Sequence, residues 1–349
     1  MSQQVERGEI RVPSDYRDAV DGAALAERRE RRFVEVEGRA PDQMLLGILT
    51  SRVPAPPEEA GGLLRGEAVP SAILTAKGKV ISDLRLLRQG EGRFLLDLPA
   101  AGLEGTLENF ERFLPPRMAR ARERKGELTL LSLVGPRGPG VLTRAVPEVG
   151  DALEESLPRE GRFVALETEA FGRLWILSSG ELAAPTLDLL LAADRAPALR
   201  ERLQEEGARP LGQEALRTLR MEAGTPAYGV DMDRDTLLVE TGIHETVMDD
   251  TKGCFTGQEF VVRVRDRGRV ARHLRWIFLG DVPAPESGTE FYDAQGGKAV
   301  GRITSACPSP RFGETLAMGY VHRSVEPGGR VRLGSPEGTE GLVRELGDR

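Results

Sequence analysis

Beyond His273 the chain is punctuated at a rate that few folds can satisfy. Runs of four to seven residues with strand character, at 274–279, 298–304, 316–321 and 330–333, are separated by turns rich in Gly and Pro. Segments this short cannot build independent helices, and isolated strands are not stable, so they have to close on one another. The spacing predicts a small antiparallel barrel or a sandwich. Upstream the rhythm changes. Two strand–helix–strand passages, 93–135 and 162–220, recur with similar lengths, a weak internal duplication that predicts paired α+β lobes.

The remaining elements follow from local pattern. Residues 1–24 lack a period and are expected to form a loose tail or a short helix, and 23–32, rich in Ala, Glu and Arg, suits a helix. Residues 32–37 alternate as a strand and 41–49 read as a helix. Residues 71–75 and 80–87 read as strands joined by Ala76-Lys77-Gly78-Lys79, with a further strand at 94–98 and a helix at 103–113 stopped by Pro115-Pro116. After the strand 129–134, the glycines and prolines of 135–140 lack the spacing of a phosphate-binding loop and read as a turn. A hairpin is expected over 162–168 and 173–178, then a long helix over 182–203. Boundaries predicted on this basis are 1–24 for the tail, 25–265 for the two lobes and 266–349 for the β-rich domain.

Composition bounds the function. The 349 residues are 40% hydrophobic and 30% charged, with a formal net charge of −7, which disfavours broad binding to nucleic acid or anionic membrane while leaving room for local basic patches. No apolar run reaches a membrane span, and the polar first thirty residues show no signal peptide. Two cysteines, Cys254 and Cys307, make no disulfide framework, although a bond between them stays open. His244, His273 and His322 are too far apart for a local zinc site, so no metal is expected, and a reducing cytoplasm is the expected compartment.

One stretch concentrates chemistry. Residues 252–259, Lys-Gly-Cys-Phe-Thr-Gly-Gln-Glu, set a thiol between two glycines, with a cation, an amide and a carboxylate alongside. Cys254 reads either as a small buried hydrophobe at a turn or as an exposed thiol whose thiolate Lys252 would favour. Glu259 and Arg263 can pair at i,i+4 if Gly257 opens a helix; in a strand they would lie too far apart.

The octapeptide resembles the Lys-Gly-Cys-(Phe/Tyr)-x-Gly-Gln-Glu signature of the YgfZ-type folate-binding proteins, relatives of the glycine-cleavage T-protein. Residues 221–231, Met-Glu-Ala-Gly-Thr-Pro-Ala-Tyr-Gly-Val-Asp, resemble that superfamily's E-A-G-x-P-x-x-G-x-D stretch. Gly301-Arg302-Ile303-Thr304-Ser305 with Ser309-Pro310 resembles its G-x-x-T-S…S-P element, and Thr75-Ala76-Lys77-Gly78-Lys79-Val80 with Asp83-Leu84-Arg85 its T-P-K-G-(K/R)-V…D-(L/F)-R segment. The resemblance implies an aminomethyltransferase-like α+β fold, two lobes around a central cavity with a C-terminal β-barrel. It implies tetrahydrofolate or a derivative as cofactor, with Glu222 holding the pterin, Tyr228 packing near it, and Thr50, Lys252, Gln258, Glu259 and Arg263 around the site. Ser51-Arg52 depart from the family's usual L-T-N-(D/E) corner. Asp83 matches the position where the aminomethyltransferases keep an acid beside the folate.

Three functions are compatible with this. The first is a folate-binding accessory protein in iron–sulfur cluster assembly or repair, including support of tRNA-modifying enzymes, with Cys254 as the active thiol. Its expected partners are cluster-assembly proteins or client enzymes, without direct contact to nucleic acid or membrane, and a monomer is expected. The second is a folate-dependent one-carbon transferase, an aminomethyltransferase or demethylase using Asp83. The third is a binding module of the same fold with neither role.

Overall fold

A computed structural model describes residues 13–150, 160–266, 268–294 and 297–348. Its strands and helices, in chain order, are α1 (Tyr16–Asp21), β1 (Ala24–Glu27), β2 (Arg31–Gly38), α2 (Pro41–Ile48), β3 (Glu58–Ala60), β4 (Leu63–Leu74), β5 (Val80–Gly90), β6 (Arg93–Pro99), α3 (Leu103–Phe113), β7 (Ala119–Glu123), β8 (Leu128–Val134) and α4 (Gly138–Ala145). Then come β9 (Arg162–Thr168), β10 (Gly172–Ser179), β11 (Thr186–Ala192), α5 (Ala196–Glu205), β12 (Arg209–Pro210), α6 (Gln213–Glu222), α7 (His244–Val247) and α8 (Gln258–Asp266). The last six strands are β13 (Arg272–Phe278), β14 (Glu290–Asp293), β15 (Ala299–Ser309), β16 (Glu314–His322), β17 (Arg330–Leu333) and β18 (Glu340–Arg344).

β1 to β12 form one sheet in the order β12-β1-β8-β11-β10-β9-β4-β5-β6-β2-β7, with β3 beside β4. The sheet is two half-sheets spliced by β4, whose residues 64–67 pair with β9 and whose residues 68–74 pair with β5. Gly66 sits in the β9-paired half, where a Cβ would lie 2.5 Å from the Phe163 ring, so only glycine admits that close approach. A second changeover comes at residues 28–30, between β1, which pairs with β8, and β2, which pairs with β6 and β7. Each half has its own apolar core: Leu131, Leu142, Ile176, Leu189 and Leu199 in one, Val34, Leu45, Leu86, Leu96 and Phe110 in the other. Two α+β lobes are thus built as the sequence pattern implies.

The last six strands close as β13-β16-β15-β14-β17-β18, with β18 returning to β13 through pairs such as Ile277↔Val343. A barrel, not a sandwich, is the solution, and closure leaves no edge strand exposed. Its interior holds Ile277, Phe291, Ile303, Val331 and Val343, while Trp276 faces outward onto α6 and donates its indole N–H to the Met221 carbonyl at 2.9 Å. On that outer face Met221 of α6 is buried together with Trp276, Cys307, Leu316 and Met318 of the barrel, and each fully buried apolar side chain contributes roughly 1.5–3 kcal/mol, so the barrel is docked on the lobes rather than tethered to them.

Two expectations fail for one reason. Residues 23–32 are not helical: Ala24, Leu25 and Ala26 are buried as β1 between β8 and β12, and sheet pairing overrides the helix propensity of Ala and Glu. Residues 182–203 are not one helix but strand β11, a turn, and helix α5, with Pro185 before the strand and Pro197 in the first turn of the helix. β11 is buried on both faces, and such a strand reads as an unbroken apolar run with no period of its own. The turn at 135–140 is shorter than expected, because α4 begins at Gly138 with Pro139 in its first turn.

Candidate functional site

The period of β5 sets up the site. Ser82, Leu84 and Leu86 are buried on one side of the strand, which turns Asp83 and Arg85 to the other. That other face looks onto two cavities, of about 840 and about 610 Å³. They share Arg31, Asp83, Glu181, Thr225 and Pro226 in their linings, so these residues form a waist between them. Both chain changeovers contribute walls, Arg28, Glu30 and Arg31 from one and Ala68 and Pro70 from β4.

A buried ionic network lies at and behind the waist. Arg31 donates to Asp97 at 2.7 Å, and Arg85, opposite Asp97 in register, donates to its other oxygen at 2.5 and 2.9 Å. Arg85 also reaches Asp188 at 2.5 Å, whose second oxygen accepts from the Ser132 hydroxyl, its cross-strand neighbour. Arg28 bridges Ser132 to Glu181 at 3.3 and 3.0 Å, and Arg31 lies 3.8 Å from the other Glu181 oxygen. Burial works to raise the carboxyl pKa of Asp97, but Arg31 and Arg85 outweigh it and hold it below its ordinary value. Glu181 is held well below its ordinary value in the same way, by Arg31, Arg85 and Arg28 against the effect of burial.

Asp83 is the exception. Its Oδ1 is buried and accepts no hydrogen bond from any described residue. Burial pushes its pKa from 3.8 up to about 6, with Arg31 pulling only part of the way back. One carboxylate is thereby poised to exchange a proton near neutrality while Glu181, on the same waist, stays charged. Beside it Tyr228 lines the larger cavity, its pKa raised by burial to about 12 and its hydroxyl 3.4 Å from the Val80 carbonyl.

Glu222, expected to hold a pterin, is elsewhere. It is 1% exposed, does not line either cavity, and accepts from the Tyr16 hydroxyl at 2.6 Å, the Ser309 hydroxyl at 2.5 Å and the Arg311 amide at 3.1 Å. Both carboxylate oxygens are engaged inside the protein, and neither lines a cavity. Asp231, at the other end of the same motif, is consumed alike, by Thr304 and Ser305 at 2.6 Å each, Arg220 at 2.7 Å and the Ala227 amide at 2.9 Å. The two acidic ends of residues 222–231 therefore grip the Thr304-Ser305…Ser309 element of β15, latching the barrel to α6.

The octapeptide also lies outside both cavity linings. Lys252 donates to the Leu46 and Leu49 carbonyls at 2.5 and 2.6 Å, closing the C-terminus of α2, and sits 4.9 Å from the Phe255 ring. Burial lowers its pKa to about 8, against the pull of Asp249 and Cys254. Cys254 is exposed and Cys307 buried, both as free thiols. Gly257 has φ +85°, and a Cβ there would meet the Thr75 carbonyl at 2.5 Å. Helix α8 does begin at Gln258, but no ion pair joins Glu259 to Arg263 among the described residues; both are exposed, and Arg263 lies 5.4 Å from the Phe260 ring. Thr50 is fully buried and donates to the Val247 carbonyl at 2.5 Å, so it supports a residue of the smaller cavity from behind.

Comparison with known proteins decides the family. A model of the GCVT N-terminal domain matches residues 12–251, and one of the glycine cleavage T-protein C-terminal barrel domain matches residues 272–340. The chain belongs to the glycine-cleavage T-protein family. Among relatives, an aminomethyltransferase of Rubrobacter xylanophilus is 31% identical over 302 residues, 86% of this chain and 76% of that one. An aminomethyltransferase of Corynebacterium jeikeium is 25% identical over 296 residues, 77% of this chain and 73% of that one. The crystal structure of the glycine cleavage system aminomethyltransferase T from Bartonella henselae superposes with a TM-score of 0.79 at 21% identity, covering 95% of this chain and 88% of that one, a likeness of fold. The family's two domain models divide the chain where the lobes give way to the barrel.

Arg31, Glu181, Asp97 and Asp188 went unseen as site residues in the sequence. The signal was there for two of them. A lone acid inside an apolar strand run, as in Phe94-Leu95-Leu96-Asp97 or Leu187-Asp188-Leu189, has to be buried, and a buried acid needs a cationic partner.

Proposed function

We propose that this protein is a tetrahydrofolate-dependent one-carbon transferase of the aminomethyltransferase kind, working at the waist around Asp83. The observation that carries the reading is the unpartnered Oδ1 of Asp83, buried between two cavities with its pKa raised to about 6. The donor set suits a reduced folate. A pterin edge presents N–H and amino donors, and the waist offers carboxylate acceptors in Asp83 and in Glu181, whose Oε1 is held by Arg31 only at 3.8 Å. Glu181 thus takes the role that Glu222 cannot fill. When bound, tetrahydrofolate supplies the nucleophilic amine that takes up the one-carbon unit. The chain's part is to hold and time the proton. Asp83 is mostly ionised at pH 7 and can accept a proton, Arg31 limits how far its pKa rises, and the buried Arg85–Asp97–Asp188 chain fixes the strands that carry it. That relatives in two genera carry the name aminomethyltransferase supports the same reading.

The test is transfer of a one-carbon unit from an aminomethyl donor to tetrahydrofolate by the purified protein. Wild type should turn over, and Asp83→Asn should lose activity at least a hundredfold while still folding. A protein that binds no folate, or an Asp83→Asn variant of full activity, removes the proposal.

A second reading is favoured by one observation. Cys254 is exposed on a loop outside both cavity linings, a position suited to contact with a partner protein rather than with a cavity ligand. A YgfZ-type accessory role in iron–sulfur cluster maintenance, with Cys254 as the working thiol, would show as failure of Cys254→Ala to restore iron–sulfur enzyme activity in cells lacking the protein. Full rescue by Cys254→Ala would eliminate it.

A further inference from the structure

We infer that the outer edge of the lobe built on β5, β6, β2 and β7 is a docking site for an extended, acidic segment of a partner protein. Three chain segments converge there on a recess of about 450 Å³: the end of β2, the turn before β6, and the residues leading into β7. The junction is built by backbone, with the Gly38 amide donating to Gly92 and the Arg39 and Ala40 amides both donating to the Met118 carbonyl. Around it stand Arg39, Arg93, Arg117 and Arg120, all exposed. None of the four makes an ion pair or side-chain hydrogen bond with another described residue. Glu37 faces Arg93 and Arg120 across the strands in register, and Glu91 lies beside them, yet neither acid closes an ion pair with these arginines. With four cations against two acids in the lining, the recess is net positive on a chain of net charge −7.

The neighbouring backbone selects the kind of partner. β7 is the last strand in the sheet order, paired with β2 on one side and, among the described residues, with no strand on the other. An edge strand offers its outward N–H and C=O groups to an added strand, which supplies affinity, and side-chain contacts then supply specificity. Guanidinium groups bind carboxylates through two parallel hydrogen bonds, so an extended segment rich in Asp or Glu satisfies both the edge and the recess. Phe113, one of three exposed large apolar side chains among the described residues, precedes this region by a few residues and can take an apolar contact. Nucleic acid fits less well. A screening length of ~10 Å lets a short peptide meet the arginines alone, whereas a long polyanion also meets the chain's overall negative charge.

The experiment uses the intact protein and a fluorescent ten-residue peptide of alternating Glu and Val, followed by anisotropy. Binding should weaken at least tenfold between ~50 and ~500 mM salt, and at least tenfold again for the Arg117→Glu/Arg120→Glu double variant, whose melting temperature should match that of wild type. The same peptide methylated on alternate backbone nitrogens keeps its charge but cannot add as a strand, and should bind at least tenfold more weakly. The inference is overturned if wild type does not bind the peptide, if the double variant binds it equally, or if the methylated peptide binds as well as the parent. It is also overturned if inorganic phosphate or a single-stranded DNA oligonucleotide displaces the peptide at lower concentration than a second acidic peptide does.

Discussion

Replacing Asp83 with Asn should make the protein more stable at neutral pH and inactive. The carboxyl pKa is about 6 in the folded protein against 3.8 for the free side chain, so the folded state holds a proton that the unfolded state has released between those values. Stability therefore falls as pH rises from about 4 to about 6, since the native state binds more protons across that window. The full shift of some two units corresponds to about 3 kcal/mol, and contact of Asp83 with the water of the cavities reduces this to ~1–3 kcal/mol. An amide has the same shape and no charge, so Asp83→Asn escapes the cost. Urea unfolding of both proteins from pH 4 to pH 8 gives the comparison. The two should be equally stable near pH 4, with the variant ahead by ~1–3 kcal/mol at pH 8 and the gap opening through pH 4–6. A gap that does not change with pH, or a variant less stable at pH 8, would show that the carboxyl is not held against its charge, and the functional reasoning would fail with it.

Other perturbations test the surrounding architecture. Asp231→Asn, which withdraws a buried charge from Arg220 and loosens the grip on Thr304 and Ser305, should cost ~2–4 kcal/mol in urea unfolding; unchanged stability would deny the latch. Gly257→Ala places a Cβ against the Thr75 carbonyl at a positive φ and should cost ~1–3 kcal/mol, with thermal melting as the readout. Cys254→Ala should change stability by less than ~1 kcal/mol, whereas Cys307→Ala, buried between α6 and the barrel, should cost ~1–2 kcal/mol. Equal effects at the two cysteines would contradict the exposure assigned to each.

Legibility in the sequence followed the range of the interaction. The hairpin at 71–87, the helix at 103–113 and the barrel strands were readable because turn residues and alternation are local signals. Residues 24–27 were not, since what makes them a strand is β8 and β12, distant in sequence. The same division runs through the site. Asp83 could be named because its neighbours form a motif, and alternation along β5 then fixes which way it faces. Glu222 could be named as well, but its donors, Tyr16, Ser309 and Arg311, come from both ends of the chain, and only the assembled fold shows that they engage both oxygens of its carboxylate away from the cavities. Glu181 has no such motif beside it, and its importance comes from arginines that strand pairing brings to it.

The most direct measurement of the central claim is the proton exchanged when tetrahydrofolate binds. Calorimetric titration at pH 6, in two buffers of different ionisation enthalpy, reads both affinity and the number of protons taken up or released. If tetrahydrofolate sits against Asp83, wild type should bind it with a net proton exchange that peaks near pH 6 and disappears in Asp83→Asn, because a ligand touching a half-ionised carboxyl has to shift its pKa. Absence of binding to wild type, or the same proton exchange in both proteins, would contradict the claim that the waist is where the folate is held.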